Sequence, residues 1–347
     1  MLPTWTAQSH LSGPNTRSGQ TTRHIASQKL SLFSCEEIGY YSFVRKETVI
    51  DKQNSNSTRF VITFLVINRV QELPTVAVAS ALAVTQSDIL VGYVNSNDII
   101  DLPKSERLKY IKLKNDESVG SSSREYSDFL SDDFYKIVKL KWLLLASAFD
   151  LGYGYVIYSD TDVIWNRNPI PTLESTFLGD QELEVLIQSF TSNPDAPNLC
   201  MGFICLRNSQ KSSEFISLCE RSHLKESMHD ARIGDDTIVT KIFTQLGYPK
   251  WIKELPQATF PTGWMINLYA SKPRYPGLNS PVPYIFHANW VVGLGNKRLL
   301  TRIFLSASQR KFYSVPMTIR WRFKFLFLCF KHGLHSILRY IRRKNAI

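Results

Sequence analysis

The stretch Gly154-Tyr-Val-Ile-Tyr-Ser-Asp160-Thr161-Asp162-Val-Ile-Trp165 constrains the fold more than any other part of the chain. Its β-branched and aromatic run has strand length and no polar alternation. That is the pattern of a strand covered on both faces, which belongs to an α/β sheet. The run ends in two carboxylates one residue apart. Ligands of open α/β sheets bind at the carboxyl ends of the strands, and carboxylates at i and i+2 there can reach one hard cation. The alternative is a turn in which Asp160 and Asp162 cap the backbone.

The remaining sequence supplies a sheet for this strand to join. Residues 1–58 read as a poorly ordered leader and the polar linker Lys52–Thr58, and the folded part begins with the apolar run Arg59–Arg69. A helix is expected over Leu73–Thr85 with Pro74 in its first turn. Strands follow at Asp88–Val94 and Leu108–Leu113. A helix capped by Ser131 or Asp132 runs to about Phe149, stopped by Gly152 and Gly154. Glu184–Ser189 and Met201–Leu206 read as further strands, with a Pro- and Asn-containing loop at Thr191–Asn198 between them. Gly202 allows a close approach to the backbone. Ser212 or Ser213 is expected to cap the next helix, and Asp235 the one after it, through Ile238, Val239, Ile242 and Phe243. Strands alternating with helices predict right-handed crossovers and a mainly parallel sheet with helices on both faces.

Charge is informative by position. The chain has 347 residues with 41 Lys and Arg against 30 Asp and Glu. No acidic residue follows Glu254, yet 15 basic ones do, which leaves 26 basic against 30 acidic residues up to that point. The main body is mildly acidic, and the positive excess sits in the last quarter, near a local anionic partner. Residues 317–347 mix aromatics with cations (Arg320, Trp321, Arg322, Phe323, Lys324, Phe325), the pattern of an amphipathic helix lying on an anionic membrane surface; packing on the protein's own surface is the alternative. No apolar run is long enough to span a bilayer, and no nucleic-acid motif accompanies the charge. The five cysteines form no disulfide or zinc pattern, which favours a reducing compartment. A cytoplasmic, peripherally membrane-associated protein is therefore expected. The alternative is targeting to an organelle, Golgi or plastid, because residues 1–35 are Ser/Thr-rich with Arg and Lys and no acid until Glu36.

Three further stretches carry chemistry. Lys141 falls on the apolar stripe of its helix with Ile137, Val138, Leu144 and Leu145; it points toward a diphosphate at the mouth or snorkels to water. Gly234-Asp235-Asp236 opens a helix, with one Asp free to face the site if the other caps. Ile285-Phe-His287-Ala-Asn289-Trp290-Val-Val-Gly293-Leu-Gly295-Asn-Lys297 is a short strand ending in an imidazole, followed by glycines that open backbone N–H groups to phosphate and by a lysine point charge.

In order, Lys141, the strand ending in Asp160-Thr-Asp162 with Arg167-Asn-Pro169, Gly202-Phe203 with Arg207, Gly234-Asp235, and His287-Ala-Asn-Trp with Gly293 and Lys297 resemble the nucleotide-diphospho-sugar transferase domain of glycosyltransferase family 77. They are similar, more distantly, to the family 8 galactosyltransferases. The resemblance spans about residues 60–305. It implies a GT-A fold over 59–305, with a Rossmann-like nucleotide half (59–165), an acceptor half (166–305) and a basic tail (306–347). It also implies a retaining glycosyltransferase that takes a nucleoside-diphosphate sugar, expected to be a UDP-sugar, to a glycan or glycolipid. Asp160, Asp162 and His287 would hold Mn²⁺ or Mg²⁺. Lys297, Gly293, Asn289 and Trp290 would bind the donor diphosphate end, with Lys141 near the phosphates or sugar and Asp235 near the sugar. Asp236 is the candidate nucleophile. Two positions depart from the family pattern: Cys200 stands where Asn is usual, and Asp236 where Gln is usual, both beside the donor sugar. The rival enzyme reading is a haloacid-dehalogenase-like phosphohydrolase with Asp160 as nucleophile. The rival non-enzymatic reading is a membrane- or polyanion-binding protein.

Overall fold

The computed structural model describes residues 59–67, 72–113, 132–190, 198–230, 233–262, 283–289 and 294–308. The expected leader, the cap candidate Ser131, the Thr191–Pro197 part of the loop, Trp290, Gly293 and the tail at 317–347 lie outside them.

Seven strands form one sheet in the order β3-β2-β1-β4-β7-β6-β8. They are β1 (Phe60–Val66), β2 (Asp88–Tyr93), β3 (Leu108–Lys112), β4 (Tyr155–Ser159), β6 (Val185–Ser189), β7 (Leu199–Arg207) and β8 (Ile252–Glu254). β1 pairs in parallel with β2 and β4, β2 with β3, and β6 with β8; only β7 runs antiparallel to its neighbours. The chain moves from β1 outward to β2 and β3, then returns to β4 on the other side of β1. That reversal opens a crevice at the carboxyl ends of β1 and β4. β5 (Val163–Trp165) and β9 (Ile285–His287) form a separate antiparallel pair.

The sheet is covered on both faces, and strand alternation sorts the core. Val61, Leu65, Val156, Tyr158, Ile204 and Leu206 pack under α2 (Asp132–Asp150), α4 (Gln210–His229) and α5 (Asp235–Gln245). Ile62, Phe64, Tyr155, Ile157 and Phe203 pack under α1 (Leu73–Val84) and α3 (Ile170–Gly179). Ile164, Phe286 and Ala288 join Leu300 of α6 (Leu294–Ser308) in a small third cluster. The mainly parallel mixed sheet with helices on both faces is the expected Rossmann-like arrangement. No helix among the described residues is long and apolar enough to cross a membrane.

Two expected caps are replaced. α4 begins earlier than its apolar pattern suggests, and Ser209 is its N-cap, the side chain accepting from the Ser212 N–H. Ser212 is instead buried and donates to the Glu184 carbonyl. At α5 the N-cap is Gly234, with no side-chain cap. Asp235 is the first helical residue and its carboxylate is engaged by Lys141, so the buried ion pair wins over the local capping bond.

Candidate active site

The Asp160-Thr161-Asp162 turn joins β4 to β5 and is closed by backbone alone, Val163 N–H to the Asp160 carbonyl at 3.1 Å. The carboxylates do not cap it. Asp160 Oδ1 accepts from Lys141 Nζ at 2.9 Å and from the Tyr158 hydroxyl at 2.8 Å. Asp162 Oδ2 accepts from Lys297 Nζ at 2.5 Å. The remaining oxygens face an imidazole: His287 Nε2 lies 3.2 Å from Asp162 Oδ1 and 3.8 Å from Asp160 Oδ2. Pairing of β5 with β9 makes this meeting, setting Val163 opposite His287, with Ala288 N–H bonded to the Asp162 carbonyl.

Behind the imidazole is β7. The register between β6 and β7 breaks between Ile187 and Gln188, so Met201–Phe203 slip out of the β6 ladder. The Gly202 carbonyl accepts from Asp160 N–H at 2.8 Å, and its bare Cα faces the His287 ring. A Cβ built on Gly202 would stand 1.9 Å from His287 Cε1. The close approach expected at this glycine is thus the approach of the imidazole itself.

Lys141 is buried and bridges the site to α5, its Nζ lying 2.6 Å from Asp235 Oδ2 as well as against Asp160, and over the Tyr158 ring. Burial opposes its charge, but Asp160 and Asp235 outweigh burial and hold the ammonium well above the ordinary lysine value. It neither snorkels to water nor lies free at the mouth. Burial and the Asp160 charge push Tyr158 up, so it stays a neutral phenol that donates. Asp162 sits well below the usual carboxylate range because Lys297 and His287 outweigh its burial. Asp236 turns toward β7, Oδ1 accepting from Met201 N–H at 2.6 Å. Burial within the protein and the neighbouring Asp235 push its pKa well above the usual value. Cys200, also pushed up by burial and by Asp236, is a neutral thiol that accepts from Asn289 Nδ2 at 3.4 Å.

The structure therefore gathers Lys141, Asp160, Asp162, Asp235, Asp236, His287, Asn289 and Lys297 at one end of the sheet; Trp290 and Gly293 lie outside the described residues. Arg207, part of the resembling pattern, serves the fold instead, lying over the Tyr155 and Phe177 rings and donating to the Leu183 and Phe177 carbonyls. Tyr158 and Gln188 were not singled out by sequence reasoning. Gln188 could have been, as the lone amide in the apolar run Val185-Leu-Ile-Gln188.

Asp160, Asp162 and His287 each offer one ligand atom, and these atoms all lie within 4.8 Å of one another. Adjacent ligands of an octahedral ion at ~2.1 Å stand about 3 Å apart, against 3.2 Å from His287 Nε2 to Asp162 Oδ1 and 3.8 Å to Asp160 Oδ2 here. Two carboxylate oxygens suit Mn²⁺ or Mg²⁺, and the imidazole nitrogen favours the transition metal of the two. Three carboxylates (Asp160, Asp162, Asp235) against two ammonium groups leave the pocket net negative, which favours a cation. The residues fit a divalent ion.

The profile of the family described as nucleotide-diphospho-sugar transferase matches residues 101–300, more than half of the chain. The chain belongs to the nucleotide-diphospho-sugar transferase family. As a nucleotide-diphospho-sugar transferase it is an enzyme, which displaces both the phosphohydrolase and the non-enzymatic readings. No curated protein matches this transferase at a significant level. Its structure is similar to mouse xyloside xylosyltransferase 1 in the apo form, at 12% identity and TM-score 0.44, over 68% of this chain and 99% of that one. It is also similar to the glycosyltransferase GlyE of Streptococcus pneumoniae TIGR4 (14%, TM-score 0.43, 74% and 64%). A third is a glycosyltransferase involved in glycosylation of the major capsid of PBCV-1 (9%, TM-score 0.44, 70% and 99%). Membership rests on the family profile, which covers Lys141, the Asp-x-Asp turn, Asp235, His287 and Lys297 alike.

Proposed function

We propose that this transferase is a metal-dependent, retaining glycosyltransferase that moves a sugar from a nucleoside-diphosphate donor, a UDP-sugar, to a glycan or glycolipid acceptor. The observation that carries the reading is the convergence of Asp160 Oδ2, Asp162 Oδ1 and His287 Nε2, with the other oxygen of each carboxylate already held by a lysine.

Asp160, Asp162 and His287 would hold Mn²⁺ or Mg²⁺, which when bound supplies Lewis acidity to the donor diphosphate as charge develops on the leaving β-phosphate. Lys297, held against Asp162 Oδ2, would add a point charge to the diphosphate, with Asn289 and, as the family resemblance implies, Trp290 and Gly293 as further donor contacts. Lys141 fixes Asp160 and ties it to α5, so the site is set before the donor arrives, and preorganised charge is where such catalysis gains most. Asp236 would border the donor sugar. Asp236 Oδ1 is tied to the Met201 N–H of β7, so retention fits attack by the acceptor hydroxyl on the face from which the diphosphate leaves. In that route the acceptor proton passes to the departing phosphate oxygen, and no protein carboxylate need be alkylated. Residues 317–347 would hold the enzyme at an anionic membrane surface near its acceptors.

The test is a panel of nucleotide sugars assayed for Mn²⁺-dependent hydrolysis, beside Asp162→Ala. Turnover of one donor with Mn²⁺, lost at least 100-fold in the variant, supports the reading. Turnover that persists in chelator, or that Asp162→Ala retains, would sink it.

A further inference from the structure

One buried amide decides which nitrogen of His287 is available. Gln188 lies on β6, fully buried, where the register with β7 breaks. Its Nε2 lies 3.1 Å from the Phe260 carbonyl and 3.0 Å from the Pro261 carbonyl. Carbonyl oxygens only accept, so two of them fix the amide with its NH₂ toward residues 260–261 and its Oε1 the other way. Oε1 then lies 2.9 Å from His287 Nδ1. It too can only accept, so Nδ1 must carry the proton. The Cys200 sulfur, 3.7 Å from the same nitrogen, is a second and weaker acceptor, itself receiving the Asn289 amide. With the proton on Nδ1, the lone pair of a neutral imidazole sits on Nε2, the atom aimed at Asp160 and Asp162.

We propose that Gln188 is a positioning residue that sets the tautomer and ring orientation of His287 for metal binding through Nε2. Partners of this kind, behind a ligating histidine, change metal affinity by about 10–100-fold when removed. Gln188 is suited to it because its amide is locked by two backbone carbonyls rather than by a side chain that could turn. Its orientation is therefore inherited from the chain trace at Phe260–Pro261. A misplaced proton would put Nε2–H against the two carboxylates and a bare Nδ1 against Oε1, with two acceptors facing each other. The inference rests on Asp160, Asp162 and His287 being a metal site.

The experiment combines Mn²⁺ titration by electron paramagnetic resonance with ¹⁵N-resolved imidazole spectra of the full chain and its Mg²⁺-loaded form at about pH 8.5, two units above the ordinary histidine value of ~6.5. Wild-type His287 is expected with its proton on Nδ1. Gln188→Leu is expected to bind Mn²⁺ 10–100-fold more weakly while keeping a cooperative unfolding transition. A neutral wild-type His287 protonated on Nε2 overturns the proposal, and that spectrum needs no variant to fold. Unchanged Mn²⁺ affinity in folded Gln188→Leu overturns it as well. No Mn²⁺ binding by the wild type overturns the metal site and this inference with it.

Discussion

Adding one methyl group at Gly202 is expected to remove a metal ligand that sits 85 residues away in sequence. An ideal Cβ there would lie 1.9 Å from His287 Cε1, 2.6 Å from Nε2 and 2.8 Å from Nδ1. Carbon atoms rest at about 3.5–4.0 Å, so the ring must retreat by roughly 1.5 Å or more. It has little room to do so, being 2% exposed and held from behind by Gln188. The β7 backbone cannot give instead without breaking the Gly202 carbonyl bond to Asp160 N–H.

Overpacking of this kind costs about 1–3 kcal/mol, which for a domain of this size lowers the melting temperature by roughly 2–10 °C. The larger effect is on the site. A nitrogen that must sit ~2.1 Å from the ion and is pushed by more than an ångström no longer ligates, so Mn²⁺ affinity should fall at least 100-fold in Gly202→Ala. Gly179 is the control: it ends α3, and a Cβ there meets nothing within 4 Å, so Gly179→Ala should bind Mn²⁺ as the wild type does. Isothermal titration with Mn²⁺ on both variants, beside thermal melts, decides it. Wild-type affinity in Gly202→Ala would refute the claim that His287 is a ligand held against β7.

Three further outcomes follow from the charged and basic groups. Lys141→Met leaves Asp160 and Asp235 without their shared cation and should destabilise by about 3–5 kcal/mol, read from urea unfolding; a loss under 1 kcal/mol would mean the bridge contributes little. His223 accepts Trp142 Nε1–H on Nδ1 and, by elimination, donates Nε2–H to the Ile233 carbonyl. Burial and Lys139 hold its pKa below the ordinary value against the pull of Asp235. The unfolded chain takes a proton near pH ~6.5 that folded His223 refuses, so its contribution is complete above that value and is lost as pH falls toward the folded pKa. Melting temperatures between about pH 5 and 7 should therefore fall less steeply in His223→Gln than in the wild type, and parallel curves would count against it. Deleting residues 317–347 should release the protein from anionic vesicles, read by co-sedimentation, while donor hydrolysis continues; vesicle binding that survives the deletion would discard the membrane role of the tail.

The parts of this site that a sequence can announce are those whose chemistry shows in residue type and order. Asp160 and Asp162 close an apolar strand and His287 ends another, so each is visible by period and position, while their meeting is what the family resemblance implies. Lys141 is legible as a violation, a cation on an apolar stripe, and the violation is resolved because the stripe's edge faces two carboxylates rather than water. Local rules mislead where a tertiary partner outbids them. Asp235 has the identity and place of an N-cap, yet the cap is Gly234 because the carboxylate gains more from a buried ammonium than from an N–H that water could satisfy. Ser212, read as a cap from the apolar spacing behind it, is drawn inward to the Glu184 carbonyl, and Ser209 takes the turn.

Gln188 stayed hidden for a different reason. Its partners are backbone carbonyls at 260–261 and an imidazole at 287, and nothing in a sequence marks which carbonyls a buried amide will find. The same holds for Tyr158, whose ring reads as strand core while its hydroxyl serves Asp160. Each candidate ligand thus has a legible half and an illegible half: the atom facing the shared point follows from residue type, and the atom behind it is fixed from α2, β6 or α6 by contacts that exist only once the sheet has closed. If Asp160, Asp162 and His287 hold an ion, they are poised only when those contacts form, and folding of the crevice and metal affinity would be one property of this chain. Substitutions at the hidden partners should therefore change metal binding without touching a ligand.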